Sequence, residues 1–197
     1  MDIVCFGDSI CYGDGVRPDQ AWVSLLAAGL LQRRPEARVR NAGVNGETAW
    51  EGLRRLPMFL ASPVPDLLYV QFGLNDAWLG ACSAEEYADA IREIVLQALE
   101  SGVRSVLVGT NHPVWIEQDM YGGADYPPRV RQFNASLRSR LALAPERVVL
   151  ADIEAHWDAL GGKNAQIPLL QADGVHLSAG GNRVYADLLL PMFVRLL

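Results

Sequence analysis

The chain has 197 residues, of which half are hydrophobic and 20% are charged. This length and composition predict a single globular domain over residues 1–197, with a sizeable core. A formal net charge of −6 argues against a nucleic-acid-binding surface, which needs clustered lysine and arginine, and the sequence contains no apolar stretch of membrane-spanning length.

Strand-like and helix-like segments alternate along the chain, as the spacing of the apolar residues indicates. The predicted strands are residues 2–7, 39–42, 67–72, 105–110 and 148–153. The predicted helices include residues 19–33, residues 83–101 and residues 179–196, and the second of these opens with a capping box at Ser83 and Glu86. A further helix begins at Thr48 and is interrupted by Pro57, and another is opened by Pro127 or Pro128. Because alternating strands and helices favour right-handed crossovers, the sequence predicts a three-layer α/β domain with a parallel sheet.

Polar or glycine-rich segments follow the first four predicted strands. They are Gly7-Asp8-Ser9, residues 41–48, residues 73–76, and Asn111-His112. Because the carboxyl ends of parallel strands share one edge of the sheet, we expect these segments to meet there. Together they would bring a hydroxyl group, glycine backbone amides and a carboxamide to one rim.

The three histidines receive different interpretations. His176 follows Asp173 by three residues, so one turn can bring the carboxylate onto the imidazole, which is how a general base is oriented. The alternative is that Asp173 caps the last helix and His176 is merely exposed. His112 either lines a pocket or supports a loop, and we expect His156 to have a structural role on an amphipathic helix.

Four segments, in chain order, resemble the four sequence blocks of the GDSL-type or SGNH hydrolases. They are Gly7-Asp8-Ser9-Ile10, residues 41–48 with Gly46, Gly73-Leu74-Asn75-Asp76, and Asp173-Gly174-Val175-His176. Ile10 replaces the leucine for which the family is named, a conservative change. The resemblance implies a flavodoxin-like α/β/α sandwich with a central parallel five-stranded sheet.

The resemblance also implies an esterase that acts on a small-molecule acyl ester without a cofactor or a metal. Ser9 would be the nucleophile, His176 the general base, and Asp173 the residue that holds the imidazole. The backbone N–H groups of Ser9 and Gly46 and the side chain of Asn75 would form the oxyanion hole. Carboxylic esters, thioesters, lysophospholipids and sugar acetates all suit the four blocks equally well.

Two carboxylates beside these residues, Asp8 and Asp76, are expected to brace their loops through backbone hydrogen bonds. A metal-dependent phosphoesterase could instead use Asp8, Asn75, Asp76 and histidines as ligands, but three histidines are few for a dinuclear site. A non-catalytic flavodoxin-like binding module is a second alternative. The sequence has no GxxxxGK[ST] phosphate loop to support it.

Residues 111–126 form an unusually long connection for an α/β unit, and long connections are often functional. We predict that Trp115 and Tyr121 bind substrate there as the wall of a pocket. The alternative is that these apolar side chains form a satellite core or contact a second subunit, which would make the protein a homo-oligomer.

The cysteines indicate the cellular compartment. Cys5, Cys11 and Cys82 are odd in number and have no CxxC spacing, so we expect free thiols in a reducing environment. The first residues enter a strand directly and lack the pattern of a secretory signal. These features predict a cytoplasmic protein.

Overall fold

The computed structural model describes residues 1–61, 63–80, 82–116 and 125–197. Within them, five parallel strands form one sheet in the order β2-β1-β3-β4-β5. The strands are β1 Asp2–Gly7, β2 Arg38–Gly43, β3 Leu67–Gln71, β4 Ser105–Gly109 and β5 Val148–Ala151. This order is the flavodoxin-like arrangement, so the predicted fold is confirmed.

Helices cover both faces of the sheet. They are α1 Ser9–Tyr12, α2 Trp22–Leu31, α3 Ala49–Arg55, α4 Pro57–Leu60, α5 Leu74–Leu79, α6 Ala84–Glu100, α7 Tyr126–Leu141, α8 Ile153–Ala159, α9 Lys163–Gln166 and α10 Ala179–Leu196. On one face α2 packs against α10, and on the other α6 packs against α3 and α7. The predicted capping box opens α6, and Pro57 separates α3 from α4 as expected.

Aromatic clusters fill the core on each face of the sheet. Trp22 of α2 lies edge-on to Tyr69 of β3, with ring centroids 5.2 Å apart, and also contacts Tyr185 of α10. On the other face, Phe6 of β1 lies edge-on to Phe72 at 5.3 Å. Burying each of these side chains contributes about 2–3 kcal/mol of hydrophobic free energy.

Two predicted elements have wrong boundaries. The helix predicted over residues 19–33 is α2, which begins at Trp22 and ends at Leu31, because residues Pro18–Gln20 form a separate 3₁₀ turn and Ala21 is extended. The fifth strand ends at Ala151, because the side chain of Asp152 accepts a hydrogen bond from the backbone of Ala155 and thereby caps α8. Local capping overrides the apolar run in the second case.

The three cysteines are free thiols, as predicted, and Cys5 and Cys11 are fully buried. Burial raises the pKa of both thiols well above the usual value for cysteine. In the described part of the chain, no helix combines the length and the apolar character needed to cross a membrane. The cytoplasmic location stays a prediction.

Candidate active site

Ser9 lies just beyond the carboxyl end of β1, as the first residue of the short helix α1. The helix is held from two sides. The indole N–H of Trp22 donates to the carbonyl of Ile10 at 2.8 Å, and the Asn41 side chain donates to the carbonyl of Cys11 at 2.7 Å. These bonds fix the orientation of Ser9, whose side chain is largely buried at the rim of the sheet.

The loop before α10 brings His176 and Asp173 to Ser9 across 167 residues of chain. His176 Nε2 lies 2.9 Å from Ser9 Oγ, and His176 Nδ1 lies 2.6 Å from Asp173 Oδ2. The other carboxylate oxygen of Asp173 accepts from the backbone N–H groups of Val175 and His176 at 2.9 and 3.0 Å. The three side chains therefore form one continuous chain of contacts.

These contacts determine where the protons lie. Partial burial would raise the pKa of Asp173, but the hydrogen bonds from His176 and from two backbone N–H groups outweigh it, so this pKa lies below its usual value. The ionised carboxylate accepts only, so Nδ1 of His176 carries the ring proton. Nε2 is then free to accept the hydroxyl proton of Ser9.

Gly46 and Asn75 lie on neighbouring parts of the same rim. Gly46 has φ +78°, and a Cβ placed on it would meet no atom within 4 Å. Its conformation therefore requires glycine, and the space in front of it is open. The Asn75 amide donates to the carbonyl of Glu47 at 2.9 Å, which ties the loop that contains Gly46 to α5.

The loop after β2, which contains Glu47, is anchored by an ion pair. The carboxylate of Glu47 is largely buried and pairs with the guanidinium of Arg55, which also donates to the carbonyl of Ala42 at 3.0 Å. The guanidinium in turn lies over the ring of Phe6, 4.4 Å from its centroid. A buried carboxylate without such a partner would be strongly destabilising, so the pair holds the loop in place.

His112 supports the loop that contains Asp173 and His176 and does not line the pocket. It is fully buried, with Nε2 2.8 Å from the carbonyl of Val175 and Nδ1 2.6 Å from the hydroxyl of Tyr185. Because a carbonyl only accepts, Nε2 carries the proton and Tyr185 donates to Nδ1. Burial lowers the pKa of His112 to about 4, so the ring stays neutral. His156 lies on α8, as predicted.

The predicted bracing roles of Asp8 and Asp76 are confirmed. Asp8 caps α1 by accepting from the backbone N–H of Ile10 at 2.9 Å, and Asp76 accepts from the backbone N–H of Ala49 at the start of α3. Burial raises the pKa of Asp8 to about 7 and that of Asp76 to about 6. The second oxygen of Asp8 is buried and has no hydrogen-bond partner.

The raised pKa of Asp8 predicts a pH-dependent stability. A carboxyl group whose pKa is higher in the folded state than in the unfolded state contributes fully to stability at pH values below its unfolded-state pKa. For Asp8 this contribution is lost as the pH rises through about 7. We therefore expect Asp8→Asn, which keeps a capping side chain, to gain stability relative to the wild type between about pH 4 and 8, by up to about 4 kcal/mol. Urea unfolding across this pH range measures the difference.

The control is Asp187→Asn, because Asp187 is exposed on α10. This variant should differ from the wild type by only a few tenths of a kcal/mol at every pH. A difference between Asp8→Asn and the wild type that does not change with pH would show that Asp8 titrates normally.

The predicted substrate-binding segment is only partly described. The backbone N–H of Trp115 donates to the carbonyl of Gly174 at 2.9 Å, and its indole N–H donates to Gln166 at 2.8 Å. Trp115 thus contacts the Asp173–His176 loop through its backbone. Tyr126 is the buried first residue of α7 rather than part of a loop. Tyr121 lies outside the described residues, and substrate binding by Trp115 and Tyr121 stays a prediction.

One residue at the site was missed by the sequence analysis. Asp14 Oδ2 lies 3.8 Å from Nε2 of His176, and Asp14 Oδ1 accepts from the side chain of Asn45 at 2.8 Å. Gly13 and Gly15 on either side of it have φ +86° and +74° and form a turn that brings Asp14 back toward Ser9. The signal that could have indicated it is the Gly-Asp-Gly sequence directly after the Ser9 helix.

A metal site has no support in the described residues, which contain no group of three or more histidine, cysteine or carboxylate side chains arranged to hold an ion. The carboxylates proposed as ligands are engaged otherwise, since Asp8 and Asp76 cap helices. What the rim presents is a hydroxyl, an imidazole, a carboxylate and an open space beside Gly46. This arrangement is suited to attack on a carbonyl carbon.

Comparison with known proteins gives consistent results. A sequence model described as the GDSL-like Lipase/Acylhydrolase family matches residues 5–184. Esterase TesA of Pseudomonas aeruginosa is 29% identical over 174 residues, which are 88% of this chain and 78% of that protein. A crystal structure of TesA superimposes with a TM-score of 0.80 at 25% identity over the whole of both chains. The lipase/acylhydrolase from Enterococcus faecalis gives a TM-score of 0.80 at 24% identity, over 98% of this chain and 95% of that one.

Proposed function

The chain belongs to the GDSL-like lipase/acylhydrolase family, and we propose that it cleaves carboxylic esters through Ser9, His176 and Asp173 by way of an acyl-enzyme. Membership of this family makes it a hydrolase that acts on ester bonds. The observation that carries the proposed mechanism is the unbroken path from Ser9 Oγ through the imidazole to Asp173, with contacts of 2.9 and 2.6 Å.

The reaction follows from the proton positions in the site. Ser9 Oγ attacks the carbonyl carbon of the ester while its proton passes to Nε2 of His176. The imidazolium then gives this proton to the leaving oxygen, the C–O bond breaks, and the acyl group stays on Ser9. A water molecule then attacks the acyl-enzyme through the same two proton transfers and releases the acid. Asp173 holds the ring orientation throughout and stabilises its positive charge.

The negative charge of the tetrahedral intermediate needs donors, and three are available. The N–H of Ser9 opens α1 and has no acceptor within the helix. The N–H of Gly46 lies on the adjoining loop, and the Asn75 amide, which gives one N–H to the carbonyl of Glu47, has its second N–H left to donate. We assign these three donors to the oxyanion hole. Open space at Gly46 supports this, since the substrate carbonyl must come close to the backbone there.

The metal-dependent phosphoesterase is the main alternative, and a chelator separates it from a serine esterase. Hydrolysis of p-nitrophenyl acetate after dialysis against EDTA should proceed at the rate of the untreated protein. Activity that falls on chelation and returns with a divalent cation would contradict the serine mechanism. The acyl group and the alcohol that the protein prefers are to be found with a panel of acyl esters, thioesters and acetylated sugars.

Asn75→Ala should lower kcat by about 10²- to 10³-fold, because an oxyanion donor acts mainly on charge that develops in the transition state. KM should change much less. Steady-state kinetics on a p-nitrophenyl ester measure both constants. The control is Asn164→Ala, which makes the same change at an exposed position of α9 and should leave both constants unaltered. A raised KM at constant kcat would make Asn75 a ground-state binding residue.

A further inference from the structure

Asp14 presents a carboxylate beside the nitrogen that moves the proton. Its Oδ2 lies 3.8 Å from His176 Nε2, and 41% of its side chain is exposed. Three bonds fix the turn that carries it: Asn45 donates to its Oδ1 at 2.8 Å, its own N–H donates to the carbonyl of Ser9 at 3.1 Å, and Gln171 donates to its carbonyl at 2.7 Å. Asp14 is therefore held at the mouth of the site.

The chemistry of the site brings the alcohol part of any substrate to this carboxylate. His176 Nε2 must come within about 3 Å of the leaving oxygen to protonate it. Since Nε2 is 3.8 Å from Asp14 Oδ2, the leaving oxygen cannot be farther than about 7 Å from that carboxylate. Groups of the alcohol that lie one to three bonds beyond the leaving oxygen can contact the carboxylate of Asp14, whichever acyl group is bound.

Asp14 has little charge compensation in the part of the chain that the structure describes. There no lysine or arginine forms an ion pair with it, and its single ion-pair contact is to His176. Its Oδ1 is engaged by Asn45, whereas Oδ2 faces Nε2. The net charge of the chain is −6, which adds to the negative potential at this opening.

We propose that Asp14 determines leaving-group specificity, favouring alcohols that carry a positive charge or hydroxyl donors near the ester oxygen and disfavouring anionic ones. The proposal rests on the proposed function, because it uses the transfer of a proton from His176 to the leaving oxygen. Asp14 acts on the alcohol by charge and hydrogen bonding, and Asn45 positions it.

The acyl group for the test is the one that the protein hydrolyses fastest in a series of p-nitrophenyl esters. Two esters of this acyl group are then compared. One is the choline ester and the other is the 3,3-dimethylbutyl ester, which has the same shape with carbon in place of the charged nitrogen. The readout is the ratio of their kcat/KM values, in which any general effect on catalysis cancels. Asp14→Asn keeps an acceptor for Asn45 and should lower the choline-to-dimethylbutyl ratio by about 3- to 10-fold.

Asp187→Asn, which removes the same charge from the exposed face of α10, should leave the ratio unchanged. If the ratio is unchanged in Asp14→Asn while hydrolysis still depends on Ser9, the proposed role of Asp14 is wrong and the proposed function stands. Hydrolysis that survives Ser9→Ala would overturn the proposed function instead.

A second measurement needs no variant and so does not depend on the folding of Asp14→Asn. The ratio in the wild type should fall at least about 3-fold between about 10 mM and about 500 mM salt, because salt screens an exposed carboxylate. The intrinsic reactivities of the two esters do not produce such a change. A ratio that is constant with ionic strength would overturn the proposal.

Discussion

Replacement of Ser9 by alanine is expected to abolish ester hydrolysis, with kcat falling about 10⁵- to 10⁶-fold, since loss of the nucleophile removes the acyl-enzyme route altogether. The fold should persist, because among the described residues the hydroxyl of Ser9 hydrogen-bonds only to the imidazole of His176, which is partly open to solvent. Steady-state hydrolysis of a p-nitrophenyl ester and the urea midpoint measure the two effects.

The matched control is Ser24→Ala, which removes a hydroxyl from the exposed face of α2. It should have wild-type kinetics and stability. Turnover within about 10-fold of the wild type in a folded Ser9→Ala protein would mean that Ser9 is not the nucleophile.

Asp173→Asn is expected to lower kcat by about 10²- to 10⁴-fold through the tautomer of His176. One oxygen of Asp173 accepts from two backbone N–H groups, so the amide of an asparagine must turn its NH₂ toward Nδ1. The imidazole then has to accept at Nδ1 and carry its proton on Nε2. In that state it cannot take the proton of Ser9.

The measurement is kcat across a range of pH, with Asp158→Asn as the control. Asp158 is half-exposed and pairs with Arg131, away from Ser9, so its replacement should leave kcat unaltered. Wild-type turnover in Asp173→Asn would show that Asp173 does not set the tautomer of His176.

The main features of the fold and site could be predicted because they depend on local patterns. The apolar runs at β1, β3 and β4 are buried on both faces, which favours parallel strands. The ends of such strands meet at one rim, which predicts that Ser9 and Asn75 lie near each other. The spacing of Asp173 and His176 is a single turn, and their contact needs no long-range information.

The features that escaped prediction depend on contacts between distant residues. The Gly13–Gly15 turn is recognisable as a turn, but its direction is set by Asn45 and by Gln171, which is 157 residues away from Asp14. The role of His112 could not be decided from the sequence, because it depends on the carbonyl of Val175 being the acceptor.

Ser9 is proposed as a nucleophile activated by His176, and labelling with an organophosphonate ester is the direct test of this role. One phosphonyl group per chain is expected, located by mass spectrometry on the peptide that contains Ser9, with hydrolysis lost in proportion to labelling. Ser9→Ala should remain unlabelled, since the neighbouring thiol of Cys11 is fully buried and its pKa is raised by burial. Complete inhibition with the label on another residue, or full activity with no label on Ser9, would show that Ser9 is not the nucleophile.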